Sequence, residues 1–315
     1  MSNELVIINK KADVRPIVNL VLDGLTSEHS KRSYERALAD FLTWHQEQGR
    51  PALSKAVVQA YKSKLEVDGL APATVNLRLS AIRKLAVEAA DNGLLDPVLA
   101  QGITRVHGVK QAGTRSGNWL TREQAQALLD APDARTLKGL RDRAILAVLL
   151  GCGLRRSECA ALAFAGLQQR EGRWCIVDLV GKGQRVRTVP MPSWAKAAVD
   201  EWAHAAGIAD GLLDTMNAGR VFRSVNKGGW VNGDGMTSQG VADVVREYAA
   251  ACGFYGLAAH DLRRTWAKLA HKGGAAVDQI QLTLGHASMQ TTERYLGVAQ
   301  DLTDAPCDVL GLRLE

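Results

Sequence analysis

Six side chains between positions 155 and 295 are of types that bind or protonate a phosphate oxygen: Arg155, Lys182, His260, Arg263, His286 and Tyr295. The first lies in Gly151-Cys152-Gly153-Leu154-Arg155-Arg156-Ser157-Glu158, directly after an apolar run. An arginine delivered there can be buried only if something neutralises it. Its planar fork matches the non-bridging oxygens of a phosphate, and Glu158, one turn on, can orient it. A plain structural Arg155–Glu158 pair is the alternative. Lys182 sits in Gly181-Lys182-Gly183, where the glycines permit a tight turn and an outward reach. It can give a proton to a leaving oxygen, or it is a solvated turn lysine. A Walker-A loop does not fit, because no Ser or Thr follows Lys182.

The third segment is His260-Asp261-Leu262-Arg263-Arg264-Thr265. His260 and Arg263 are three apart, so a helical turn projects both to one side. The fourth runs from Leu284-Gly285-His286 to Tyr295. No H-E-x-x-H, Cys/His cluster or tight set of Asp and Glu is present, so neither zinc nor magnesium is expected. No cofactor is expected either. A tyrosine hydroxyl, with an ordinary pKa near ~10, is a weak nucleophile unless cations surround it. Here the cations are available. The set suits attack of a phenolate on a phosphodiester. Arg155 and Arg263 would stabilise the pentavalent transition state, a histidine would take the tyrosine's proton, and Lys182 would protonate the departing sugar hydroxyl.

The ordered series Gly-Leu-Arg-x-Ser-Glu (Gly153–Glu158), Gly-Lys-Gly (Gly181–Gly183), His-x-Leu-Arg (His260–Arg263), Leu-Gly-His (Leu284–His286) and Tyr295, nine residues after His286, resembles the tyrosine recombinases. These are also called the phage integrase family, here in a compact Xer-like form. The resemblance implies that Arg155, Lys182, His260, Arg263 and His286 form an activating pocket, that Tyr295 is the nucleophile, and that Glu158 supports Arg155. It implies strand cleavage to a 3′-phosphotyrosyl link, exchange through a Holliday junction, and no need of metal or ATP. The implied partners are double-stranded DNA recombination sites and a homo-tetramer with a dimer on each site, a second related recombinase being a further partner. Arg264 departs from the histidine that many relatives carry, which tilts the reading toward a mobile-element integrase. An Xer-type chromosome or plasmid dimer resolvase is the alternative. A type IB topoisomerase and a catalytically decayed DNA-binding regulator are further alternatives.

The elements that must hold these groups are mainly helical. Ser27 or Ser30 can cap Lys31–Gln48, and Lys55–Asp68 and Ala73–Gly93 follow, with Gly49 and Gly69 as stops. Thr121 and Gln124 have capping-box spacing. Arg141–Leu150 reads as an apolar helix. Trp174–Val180 and Val186–Val189 are β-branched runs around a glycine turn, a hairpin signal. Trp194–Ala206, Gly240–Cys252, Leu262–Lys272, Val277–Leu284 and Thr291–Ala299 read as helices. The expected fold is mainly α with a small β-sheet or hairpin. A helical SAM-like core-binding domain (16–105) follows a loose N-terminus (1–15). A glycine-rich basic linker (106–117) leads to an α+β catalytic domain (118–300). Leu302, Val309, Leu310 and Leu312 make 301–315 an apolar tail, folded onto its own domain or, as the resemblance implies, onto a neighbouring subunit.

With 315 residues the chain has room for about two domains. Its 46% hydrophobic and 23% charged residues exclude a disordered or fibrous chain. The net charge of +6 permits a nucleic-acid partner without requiring one. Five cysteines, none spaced C-x-x-C, point to a reducing cytoplasm, and the resemblance implies association with the bacterial nucleoid there. The longest apolar run, Ala144–Leu154, is far short of the ~20 residues of a membrane span, so a soluble intracellular protein is expected. On Ala73–Gly93, Arg78, Arg83 and Lys84 share a face that either binds DNA or is simply solvated. If it binds DNA, changing the three to alanine weakens binding and flattens the salt dependence of the affinity; an unchanged salt slope assigns them to the solvated face.

Overall fold

The computed structural model describes residues 14–49, 51–110, 118–181, 185–208 and 219–297. Lys182, most of the expected linker (111–117) and the apolar tail lie outside the described residues. The chain forms two compact units that divide between residues 115 and 116.

The first unit is all helical: α1 (Arg15–Asp23), α2 (Glu28–Glu47), α3 (Lys55–Val67), α4 (Pro72–Asp91) and α5 (Pro97–Thr104). Of the two candidate caps it is Ser27 whose side chain accepts from the Ser30 amide, so α2 starts three residues before the expected Lys31. Pro72 and Pro97 sit at the first position of α4 and α5, where a missing N–H costs nothing and φ is already helical. Asp96 caps α5 by accepting from the Val98 and Leu99 amides. Phe41, Val58, Tyr61, Leu65, Leu79 and Ile82 form its buried core, with the Phe41 and Tyr61 rings edge to face at 5.1 Å.

The second unit opens with α6 (Arg122–Asp130), which carries the Thr121–Gln124 capping box. It continues with α7 (Leu137–Cys152) and α8 (Arg156–Ala161). An antiparallel sheet follows, β1 (Leu167–Arg170), β2 (Arg173–Val180) and β3 (Val186–Pro190), in that order. Then come α9 (Ser193–Ala205), the short pair β4 (Ser224–Val225) and β5 (Val231–Asn232), and four helices: α10 (Ser238–Ala251), α11 (Ala259–Lys272), α12 (Val277–Leu284) and α13 (Met289–Leu296). The fold is therefore mainly α with a small β component.

α7 is the axis of this unit. Ile145, Leu146, Val148 and Leu149 are fully buried within one cluster with residues of α9, α10 and the sheet. Burial of each such side chain contributes roughly 1.5–3 kcal/mol. Strand β1 has one apolar residue in four and no alternation, so its sequence carries no strand signal. It is drawn into the sheet by the turn at Glu171-Gly172, where both residues have positive φ, the geometry that joins a tight hairpin. α13 corrects the expected span Thr291–Ala299. It starts two residues earlier and stops at Leu296, because Gly297 adopts a left-handed conformation (φ 68°).

Two further helices end on left-handed glycines, α7 at Gly153 (φ 61°) and α12 at Gly285 (φ 64°). A Cβ on Gly153 would stand 2.8 Å from the Trp266 ring. Gly153→Ala therefore combines backbone strain with overpacking. The expected loss is about 2–4 kcal/mol, a fall in melting temperature of roughly 5–15 °C. A melting curve that coincides with that of the parent protein refutes this account of Gly153.

Candidate active site

The two glycine stops aim the ends of α7 and α12 at one side chain. Arg263, on α11, is 1% exposed; its Nη1 donates to the Gly153 carbonyl at 2.7 Å and its Nη2 donates to the Leu284 carbonyl. The last carbonyls of a helix lack intrahelical partners and carry its partial negative charge, so a cation is stabilised there. Burial and the neighbouring charge of Arg155 still pull the Arg263 guanidinium down to about 10. It stays charged at neutral pH, but at an electrostatic cost.

Glu158 offsets part of that cost. Its carboxylate is buried beside the start of α8, where it accepts from the Arg155 amide (2.8 Å) and the Arg155 Nη1 (2.6 Å). It also accepts two hydrogen bonds from Arg187 on β3, at 3.0 and 2.8 Å, and faces Arg263 Nη1 at 3.8 Å. Burial alone would raise this carboxyl; the Arg187 fork and the Arg155 donors outweigh it and hold the group below the ordinary carboxylate range. One carboxylate thus gathers three guanidiniums from α8, β3 and α11, leaving an excess of two positive charges.

Tyr295 stands against this cluster. Its Oη lies 3.4 Å from both His260 Nε2 and the His260 carbonyl. Its ring packs edge to face with His260 (5.6 Å) and His286 (5.3 Å). The Arg264 guanidinium lies 5.1 Å from the ring centre. Desolvation raises the phenol above its ordinary value, against the opposing pull of Arg263, Arg264 and Arg155. The unliganded site therefore keeps Tyr295 protonated. Both histidines are pushed the other way, by desolvation first and by Arg263 next: His260 downward, and His286 to about 4. Each is a neutral imidazole at pH 7. His286 Nδ1 is 2.9 Å from Thr292 Oγ1, which is fully buried and fixes the ring.

The structure thus brings Arg155, Glu158, His260, Arg263, His286 and Tyr295 together. Lys182 lies outside the described residues, but Gly181 next to it is at the cluster: a Cβ there would stand 3.4 Å from Arg155 Nη1. Arg187 and Thr292 are not evident from sequence. Arg187 lies in a β-branched strand, and only the charge excess around Glu158 hints at its use. In the first unit, Arg78 is ion-paired with Asp40 (2.7 Å) and donates to the Tyr61 hydroxyl, Arg83 donates to the Val106 carbonyl, and Lys84 donates to the Gly24 carbonyl. Each thus has a contact within its own unit. The four described cysteines, Cys152, Cys159, Cys175 and Cys252, are free thiols. No helix among the described residues is long and apolar enough to cross a membrane.

The profile of the phage integrase family matches residues 118–301, and that of the phage integrase N-terminal SAM-like domain matches residues 19–93. These matches first define a class, the enzymes of DNA strand transfer with a helical N-terminal domain and an α+β domain. Within that class, the chain belongs to the phage integrase, or tyrosine recombinase, family. It is 30% identical to tyrosine recombinase XerC of Myxococcus xanthus over 288 residues, 87% of this chain and 88% of XerC. It is likewise 30% identical over 285 residues to XerD of Neisseria meningitidis serogroup B, 90% of this chain and 92% of XerD. Its fold is similar to that of the XerH recombinase in a post-cleavage complex with a palindromic difH substrate. The TM-score is 0.66 at 17% identity, over 94% of this chain and 83% of XerH.

The electrostatics of His286 make an acid-range prediction. The unfolded chain takes up this proton near ~6.5, and the folded one only near about 4. Between those values the unfolded state binds more protons, so stability falls as pH is lowered through that window and is unaffected above it. In an NMR titration the His286 ring should still be neutral at pH ~5.5, and His286→Asn should flatten the acid limb of stability. A midpoint near ~6.5 in the folded protein contradicts the assignment.

Proposed function

We propose that the chain is a site-specific DNA recombinase that cleaves and rejoins strands through a tyrosyl phosphodiester. The observation that carries this reading is Tyr295 Oη beside His260 Nε2, at the edge of a guanidinium cluster with two surplus positive charges. A phosphodiester seated on Arg155 and Arg263 gains a second negative charge as it becomes pentacoordinate. Preorganised cations stabilise that change without reorganising water. Desolvation depresses the histidines first and arginine charge next; the same anion offsets the arginine charge, so substrate binding raises the proton affinity of His260. A base that strengthens only on the substrate suits a tyrosine that is protonated at rest.

Tyr295 Oη then attacks phosphorus and passes its proton to His260. The bond to the 5′-oxygen breaks, and Lys182 supplies the proton that makes it a hydroxyl. His286 donates to a non-bridging oxygen. Attack of another 5′-hydroxyl on the 3′-phosphotyrosyl link reverses these steps on a new partner, through a Holliday junction. The phosphodiester energy is kept in the link, so neither ATP nor a metal takes part. Residues 16–105 serve as the core-binding domain and 118–300 as the catalytic domain; of the expected linker 106–117, Val106 and Val109 pack on the first unit's core, which leaves 111–117 as the linker. Two dimers, one on each DNA site, make the working tetramer, with the 301–315 tail packed on a neighbour. The protein acts in the cytoplasm, on the nucleoid.

For the biological role, the similarity to XerC and XerD supports dimer resolution, while Arg264 in place of histidine favours a mobile-element integrase. Sequencing the DNA retained by a Tyr295→Phe protein separates the two: a chromosomal or plasmid site in the first case, the ends of an element in the second. For the chemistry, Tyr295→Phe should still bind DNA and form no covalent adduct with a nicked suicide duplex, and EDTA should leave adduct formation by the parent protein intact. Adduct at normal yield from Tyr295→Phe removes Tyr295 as nucleophile, and strict dependence on a divalent cation overturns the pocket assignment.

A further inference from the structure

Each nitrogen of the Arg187 guanidinium donates to a partner inside the protein. Nη1 and Nη2 donate to the two oxygens of Glu158, and Nε donates to the Thr283 carbonyl at 2.8 Å. Its side chain is 7% exposed. Two glycines make room for it: a Cβ on Gly181 would come within 2.8 Å of Nη1, and one on Gly285 within 3.0 Å of Cδ. These contacts are spread over three parts of the site. Gly181 directly precedes Lys182, Glu158 holds Arg155, and Thr283 and Gly285 flank the Leu284 carbonyl that Arg263 grips, in the turn that presents His286.

We propose that Arg187 is a positioning residue of the recombinase pocket, which balances Glu158 so that Arg155 and Arg263 keep their charge for the phosphate. The inference rests on the strand-transfer reading above. Glu158 has one negative charge and three guanidiniums around it. With Arg187 bound through both oxygens, that charge is met and two cations are left over. Without Arg187 the surplus falls to one, and Arg155 and Arg263 become the only partners of a buried carboxylate. They are then drawn toward Glu158 and away from the position a phosphate occupies. All three nitrogens of Arg187 already donate within the protein and its side chain is buried, so it acts through Arg155 and Arg263. Its loss should reduce the rate of the covalent step far more than DNA affinity.

The experiment uses the full chain and a nicked suicide duplex carrying the site recovered with Tyr295→Phe. Adduct rate at saturating DNA, affinity and melting temperature are measured for Arg187→Met, Arg187→Lys and the double variant Arg187→Met/Glu158→Gln. Arg187→Met should slow adduct formation by ~100-fold while changing affinity by no more than about threefold. The double variant should recover about tenfold of that loss, because a neutral amide no longer competes for Arg155. Arg187→Lys, which keeps the charge and loses the fork, should fall between parent and Met, and it carries the test if the Met variant does not fold. A wild-type rate in either single variant overturns the proposal. So does a loss that the added Glu158→Gln fails to relieve, since a purely structural defect would persist or deepen. If the parent protein itself forms no adduct, it is the strand-transfer reading that fails.

Discussion

The site depends on a single buried carboxylate. Three guanidiniums gathered around one carboxylate repel, and desolvation together with that repulsion pulls Arg263 down. Glu158 makes their proximity tolerable. It does so with both oxygens filled, by the Arg155 amide and side chain and by the Arg187 fork, so none of its burial is left uncompensated. The carboxylate is also the N3 residue of α8, where an acid is favoured by the helix dipole and closes a bond with the Arg155 amide. One residue therefore starts a helix, neutralises part of a cation cluster and sets the direction of Arg155. Removing a partner from such a network costs more than the network contributes as a whole, because an uncompensated charge is left behind.

The second constraint is steric. α7 and α12 must stop where their final carbonyls meet at Arg263, and a left-handed residue is the simplest stop. Gly153 supplies it under the Trp266 ring, and Gly285 supplies it over the Arg187 stem. Trp266 also donates through its indole N–H to the Gly151 carbonyl at 3.1 Å, so α11 is fixed to the end of α7 by Arg263 and Trp266 together. His260, one turn before Arg263, is placed by the same docking. α13 then needs only to bring Tyr295 up to that wall, with Thr292 securing His286 on the way.

Much of this was legible in the sequence because it rests on local rules. Capping residues, glycine stops and helical spacing located Arg155, His260 and Arg263 on their elements, and the Thr121–Gln124 box was readable outright. The hairpin around Gly181 followed from its β-branched flanks. What was not legible depends on distant partners. β1 has no strand pattern and exists because β2 gives it a ladder and a tight turn. Arg187 looks like any strand cation until Glu158, 29 positions away, is placed beside it. The contacts of Arg78, Arg83 and Lys84 were illegible for the same reason, since their partners Asp40, Val106 and Gly24 come from other elements of the first unit.

Those long spans have a consequence for when the chemistry exists. Arg263 reaches Gly153 across 110 positions, Arg187 reaches Thr283 across 96, and the Leu120 amide reaches Thr265 Oγ1 across 145. Closing loops of that length is slow and comes after local helices have formed. Tyr295 lies on the last described helix, so a chain still being synthesised has the arginines without the tyrosine. A partly folded one has the tyrosine without the cations. The topology thus couples assembly of the whole cluster, guanidiniums and phenol together, to completion of the fold.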